Sequence, residues 1–236
     1  MDLSRRTTIA FGASLCWASC AFAGDVEGLV QVNGPVPEAT MVTIEAKSNE
    51  YPIEGCGERT KPSQRLLVDA SGGLQNAVVW LDGLQERGPT LQRYVLDQQA
   101  CMFVPHVLVV PKGAELVIRT SDPVVHNVRI FDGRTMLMHE WQKPHSGELA
   151  WTFEQPGRYL VRCGVHQWMH AWVIVAEHQY YAISDQAGRF TIPDVPDGTY
   201  VMRVWHETLG ETQQPLKVRG ALAGVTIRIN GERGKT

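Results

Sequence analysis

Beyond its first two dozen residues the chain is broken every few positions by glycine, proline, asparagine or aspartate. Between the breaks lie short runs that are either apolar or alternate apolar with polar. They include "EGLVQV", "MVTIEA", "NAVVWL", "HVLVVP", "AELVIRT", "VHNVRIF", "LAWTFE", "GRYLVRC", "AWVIVAE", "GRFTIPDV", "TYVMRVWHE", "QPLKV" and "GVTIRI". A helix buries one stripe and so repeats apolar residues every three to four positions, whereas a strand sends successive side chains to opposite faces. No long segment has the helical period. The chain is therefore expected to be all-β, and the spacing of the runs favours packed sandwiches over a parallel α/β sheet. Residues 48–63 and 134–147 lack either pattern and read as loops.

At 236 residues with 44% hydrophobic content, there is material for one large or two small cores. The formal net charge is -3, with no basic block and no aromatics interleaved with Lys or Arg. Nucleic acid is thereby excluded as an expected partner. At the N-terminus, Arg5 and Arg6 precede the weakly polar run from Thr7 to Cys20, and Ala21-Phe22-Ala23 has the small-x-small form of a signal-peptidase site. Residues 1–23 read as a secretory signal. A membrane anchor is disfavoured, because Ser and Thr interrupt the run and it falls short of the ~20 apolar residues that span a bilayer. Ser4-Arg5-Arg6 and Trp17-Ala18-Ser19-Cys20 are also partial matches to a twin-arginine signal and a lipoprotein box. No later apolar run is long enough to span, so the mature protein is expected to be soluble.

Cleavage after Ala23 would remove Cys16 and Cys20 and leave Cys56, Cys101 and Cys163. An oxidising compartment favours pairing any two cysteines that can meet, and Cys56 ("EGCGER") and Cys101 ("DQQACMF") both lie in loop-like surroundings. If those two pair, Cys163 is the thiol left over. It would need an occupant, such as a metal, to escape oxidation.

Cys163 lies in "RCGVHQWMHAWV", residues 162–173. From Val107 to Val175 the order is strand, Pro-Lys-Gly turn, strand, Ser-Asp-Pro, "VVHNVRIF", a Met/His loop, "WTFEQPGRYLVRC" and this stretch. That order resembles the cupredoxins, most closely the plastocyanin and amicyanin group. The likeness is carried by "HNV", by the F-x-x-x-G-x-Y-x-x-x-C strand and by the Cys-x-x-His-x-x-Met loop. It implies a Greek-key sandwich holding one mononuclear copper ion, with His126, Cys163, His166 and Met169 as ligands. The chemistry agrees, since an ion cycling between Cu(I) and Cu(II) calls for soft thiolate and thioether donors beside imidazoles. Zinc could take Cys and His, but the thioether favours copper.

Several neighbours stay open at this level. His170 could displace Met169, although adjacent strand residues face opposite ways. His106, His139 and His145 could form a second metal site with Met136 and Met138, or be ordinary strand and loop residues. Trp168 reads either as a core aromatic or as part of a docking surface for electron exit. Asn127 is expected to tie its strand to the cysteine loop. A Cys/His nucleophile would leave Met169 unexplained. A binuclear copper centre would need a second cysteine where position 167 is glutamine. No carboxylate pair, phosphate loop or serine elbow stands out, so no enzyme activity is expected.

Tyr180 to Gly210 ("YYAISDQAGRFTIPDVPDGTYVMRVWHETLG") resembles a transthyretin-like or carboxypeptidase-regulatory-like sandwich. The tail holds too few strands for one, and "EGLVQVNGPVP" and "LQNAVVWLDG" look like the missing early strands. The expected organisation is a signal at 1–23, N-terminal strands of the second sandwich at 24–90, the copper domain at 91–177 and the second sandwich at 178–236. The copper domain would then be an insertion, with a simple tandem as the alternative. The whole pattern, with its terminal "VWHE", also resembles secreted bacterial proteins labelled methylamine-utilisation or plastocyanin-like. That likeness implies a periplasmic copper protein passing single electrons between redox partners. Copper capture and delivery in the periplasm, assisted by the extra Met and His residues, is the alternative. A further one is an interaction protein that docks through its second sandwich.

Overall fold

The computed structural model describes residues 23–38, 40–44, 53–57, 60–84 and 93–231. The signal read at 1–23 lies outside them except for Ala23, as does the domain junction expected at 90/91. Every regular element among the described residues is a strand, so the all-β expectation holds. No described helix is long and apolar enough to cross a membrane.

In chain order the strands begin with β1 (Ala23–Asn33), β2 (Met41–Thr43), β3 (Thr60–Pro62) and β4 (Val78–Asp82). Then follow β5 (Tyr94–Gln99), β6 (Met102–Val104), β7 (Val107–Pro111), β8 (Glu115–Thr120) and β9 (His126–Asp132). Next come β10 (Thr135–Gln142), β11 (Leu149–Thr152), β12 (Gly157–Cys163) and β13 (His170–Ala176). The last five are β14 (Tyr181–Ile183), β15 (Arg189–Pro196), β16 (Gly198–His206), β17 (Gly210–Val218) and β18 (Leu222–Asn230).

The middle strands form a sandwich. A five-stranded sheet ordered β10-β9-β12-β13-β7 packs on a four-stranded sheet ordered β11-β8-β5-β6. One core joins them, with Leu96, Phe103, Leu116 and Ile118 from one sheet meeting Val128, Ile130, Val161 and Val173 from the other. Along β12 the alternation is clean: Tyr159, Val161 and Cys163 point inward, while Arg158, Leu160 and Arg162 do not. Ile44, Ile53 and Cys56 join this same core. Part of the 24–90 segment therefore packs against the first sandwich and not the second. Cys56 is bonded to Cys101 there, and Cys163 is the free, buried thiol.

The loop expected at 134–147 is largely strand β10. Only Met138 and Gln142 of its eight residues are buried, and its register slips between Met136 and Met138. A bulged strand at the sheet edge does not alternate, which hides it from a period-two reading.

The remaining strands form a second sandwich from the sheets β15-β1-β18 and β14-β4-β16-β17. Its core includes Val26 and Val30 of β1, Leu81 of β4, Ile192, Met202, Val204 and Ile227. Strand β1 runs antiparallel to β15 and parallel to β18. Residues 27–33 thus pair with strands that follow the first sandwich in sequence. The two sandwiches meet through Val107, Val109, Trp172 and Ile174 on one side and Val78, Trp80 and Trp205 on the other. The Trp172 and Trp205 rings stack edge-on, 5.2 Å between centroids. Covering both faces of β13 explains why "HAWVIVA" reads as a continuous apolar run instead of an alternating one.

Candidate metal centre

His126 opens β9 and Cys163 closes β12. These strands are paired antiparallel, with Cys163 opposite Val128, so the histidine lies close to the thiol. After Cys163 the chain turns back on itself. The Cys163 amide donates to the Met169 carbonyl at 3.1 Å, and the Met169 amide donates to the His166 carbonyl at 2.9 Å. Gly164 leaves room for Arg129 and Asn127: a Cβ there would come within 2.4 Å of the Arg129 guanidinium and 2.6 Å of Asn127 Oδ1, and would displace them.

Three of the four expected ligands present their donor atoms to one point. Cys163 Sγ is 3.9 Å from His126 Nδ1 and 3.8 Å from His166 Nδ1, and the two Nδ1 atoms are 3.0 Å apart. Met169 is fully buried in the same core. Backbone amides of Asn127 and His166 donate to Cys163 Sγ at 3.5 and 3.4 Å. Burial would push the Cys163 thiol up, but His126, His166 and these amides outweigh it and hold it down at about 5. Burial likewise opposes charge on His126, yet the Asp122 carboxylate and the thiol raise its pKa. The cluster is thus built to keep a thiolate beside cationic or metal partners.

Asp122 is the residue that motif reading passed over. Its Oδ2 lies 2.8 Å from His126 Nε2, so it accepts a hydrogen bond from Nε2–H and leaves Nδ1 with a free lone pair. The same carboxylate accepts the backbone amides of Ala100 and Cys101. These two residues form the tip of the β5–β6 hairpin with φ of 50° and 57°. That left-handed conformation is strained for residues with a Cβ, and an anion bridging both amides offsets the strain. The signal was the "SDP" four residues before His126, which reads as a turn only.

The cluster is roofed. His166 is 2% exposed, and its ring nitrogen and the Cys56 and Cys101 sulfurs all lie within 4.8 Å of one another. Trp168 is half-buried, stacks near His166 with 5.1 Å between centroids, and donates its indole N–H to the Cys101 carbonyl at 2.9 Å. Its polar edge is therefore engaged by the roof. Asn127 acts through its backbone amide on the thiol, while its side chain binds Arg129 and the Glu140 carbonyl. The side chain fixes β9 to β10, while the backbone amide ties β9 to the cysteine.

The other histidines separate. His170 turns away from Met169 toward Glu207 of the second sandwich, 2.9 Å from Nε2 to Oε2. His106 also meets Glu207. Met138 is buried while Met136 is half exposed, and His139 is exposed. Among the described residues neither His139 nor His145 joins a cluster of three or more His, Cys, Asp or Glu ligand atoms. The second metal site sketched from His106, His139 and His145 is not assembled, because β10 holds His139 on the outer edge.

The residues fit copper by an internal test. With His126 Nε2–H held by Asp122, its Nδ1 lone pair faces His166 Nδ1 at 3.0 Å, a contact that either a proton on His166 Nδ1 or a soft cation between the two would satisfy, and a thiolate stands alongside.

Comparison with known proteins gives likenesses of fold. The family model described as polysaccharide lyase family 4, domain II matches residues 155–227. The match runs from the end of the first sandwich through most of the second, and that family domain is a fibronectin-like sandwich. The likeness to transthyretin-like domains rests on the hairpin motif alone. No curated protein matches the chain. A purple cupredoxin from Nitrosopumilus maritimus is 21% identical, covering 35% of this chain and 99% of its own, with a TM-score of 0.32. A Cu(I) amicyanin variant is 18% identical, covering 42% and 98%, at 0.33. A copper-containing nitrite reductase from Thermus scotoductus is 22% identical, covering 40% of this chain and 24% of its own, at 0.34. The chain is all-β among the described residues and folds into two packed sandwiches.

Proposed function

We propose that this chain is a type 1 copper protein of the periplasm that carries single electrons between redox partners. His126, Cys163, His166 and Met169 would hold one mononuclear ion. The observation that carries this reading is the meeting of Cys163 Sγ with two imidazole Nδ1 atoms at 3.8 and 3.9 Å, in a buried pocket. Bound copper would supply reversible one-electron chemistry at a thiolate. The chain's own residues prepare for it. Asp122 fixes the tautomer and direction of His126, and the Asn127 and His166 amides withdraw charge from the sulfur. Gly164 lets Arg129 close over the loop. Trp168 and the Cys56–Cys101 roof exclude water, which limits rearrangement as charge changes. Burial of His166 under a disulfide speaks for a retained ion over one handed on as cargo. The pairing of β1 with β15 and β18 supports a first sandwich inserted between β4 and β14 of the second.

Cu(II) added to the purified chain should give an intense visible thiolate-to-copper band that bleaches reversibly on reduction. Cys163→Ser should abolish that band. A chain that binds only Cu(I) without colour, through Met136 and His139, would replace electron carriage by copper delivery. Unchanged colour in Cys163→Ser would overturn the site.

A further inference from the structure

We propose a second cation site, formed by His106, His170 and Glu207, that takes a divalent ion of the Zn2+ or Cu2+ kind and clamps the two sandwiches together. The three residues come from separate places: the turn before β7, the first residue of β13, and the turn after β16. Their ligand atoms lie within 4.8 Å of one another. The Glu207 carboxylate presents Oε1 to His106 Nε2 and Oε2 to His170 Nε2. The imidazole rings stand edge-on, 82° apart with centroids 4.9 Å from each other. Both Nε2 atoms thus approach one carboxylate from different directions.

Proton accounting points to a cation. His170 Nδ1 is 3.3 Å from the Trp168 carbonyl, and a carbonyl only accepts, so Nδ1 carries a proton. In the neutral ring Nε2 then bears a lone pair, facing a carboxylate oxygen at 2.9 Å that also only accepts. A second ring proton or a metal ion must lie between them. Nδ1–H bound to a backbone carbonyl is the arrangement that orients a histidine to ligate through Nε2. Trp172 Nε1–H donates to Glu207 Oε2 at 3.1 Å and steadies the carboxylate. The His106 carbonyl accepts the Trp172 amide at 2.9 Å, pinning the turn that carries His106.

Burial makes the compensation stringent. The side chains of His106 and Glu207 are 2% and 4% exposed, and His170 is 17% exposed. Among the described residues the cationic side chain that reaches Glu207 is Arg65, 3.9 Å from Oε2 but 65% exposed, so it contributes little charge. A buried carboxylate needs a better partner. Two imidazoles with one carboxylate and no sulfur suit borderline divalent ions, whereas Cu(I) would prefer the sulfur donors of the first cluster. His170 directly follows Met169, so an ion here would also anchor the copper loop to the second sandwich.

The test uses the full chain carrying Cys163→Ser, which removes the thiol donor of the first cluster. Isothermal titration with Zn2+ should show one tight equivalent and a raised melting temperature. Glu207→Gln in that background should weaken Zn2+ binding by at least about 100-fold, since even loss of an orienting neighbour costs 10–100-fold. His170→Gln, on the wetter side, should do the same and serves if Glu207→Gln folds poorly. Glu207→Gln alone should leave the copper-thiolate band of the first cluster in place, so the two sites fail independently. Absence of a zinc equivalent, or affinity unchanged in both variants, would overturn the proposal and leave a triad held by protons.

Discussion

Two histidine clusters stand on either side of the single peptide bond between Met169 and His170, and they differ in how they are assembled. The thiol cluster lies within one sandwich. Cys163 ends one strand, His166 lies in the six-residue turn that follows it, and His126 opens the neighbouring strand. The carboxylate cluster lies between sandwiches and draws a residue from each of three turns or strand ends. The first depends on local chain geometry and a disulfide roof. The second depends on the two sandwiches staying docked through Trp172 and Trp205. Damage to either support should therefore be felt mainly by its own cluster.

The largest effect should come from the roof. Cys56 and Cys101 close a loop with a sequence separation of 45. For a loop of that length the chain-entropy argument gives about 4 kcal/mol of stabilisation. The double variant Cys56→Ser/Cys101→Ser should lower the unfolding free energy of the first sandwich, read from denaturant curves, by roughly that amount. It should also let water reach His166 and broaden the copper signal. Zinc binding at Glu207 should be unaltered, and equal loss at both clusters would show that the two are not separate.

Acid should act on the other side. Burial holds His206, next to Glu207, neutral, with its pKa lowered to about 4 from 6.5. The unfolded chain takes up this proton near pH 6.5 and the folded chain only near pH 4, so stability is present above that window and lost as pH falls through it. At about 1.4 kcal/mol per pH unit over roughly 2.5 units the loss approaches about 3 to 4 kcal/mol. Unfolding curves at neutral pH and near the lower limit should differ by about that much in the wild type, and much less in His206→Gln.

The same contrast explains what could be read from the chain. The proposed ligands Cys163, His166 and Met169 are legible because one strand end and turn keep them close in sequence, and His126 because "HNV" marks its strand. The strands of the first sandwich follow from alternation or, for β13, from a short apolar run, apart from the bulged β10 and the short hairpin β5–β6. Glu207 was illegible as a partner. It lies 37 residues from His170 and 101 from His106, and only docking of two separately folded cores brings them together. Asp122 was visible as a turn former and hidden as an orienting acceptor, since its role needs the Ala100–Cys101 tip in place.

Asp122→Asn should therefore weaken copper binding by about 10–100-fold, the range for removing the acceptor behind a metal-bound histidine. Asparagine keeps the volume, but it offers one acceptor oxygen where the carboxylate meets His126 Nε2–H and two backbone amides. At least one buried donor loses its partner. Competition against a chelator should register the loss. If affinity is retained while stability falls, Asp122 serves only the hairpin.

The smallest effect should be at Arg65, and it sharpens the comparison by being small. Its guanidinium is 3.9 Å from Glu207 Oε2 but 65% exposed. Exposed pairs at that separation contribute from nothing to about 1 kcal/mol because water screens them. Arg65→Ala should thus shift stability by less than about 0.5 kcal/mol and leave zinc affinity within about two-fold. A large loss on Arg65→Ala would mean that the carboxylate is balanced by the surface cation. The lone pairs of His106 and His170 would then have no metal to hold, and the clamp would be a salt bridge alone.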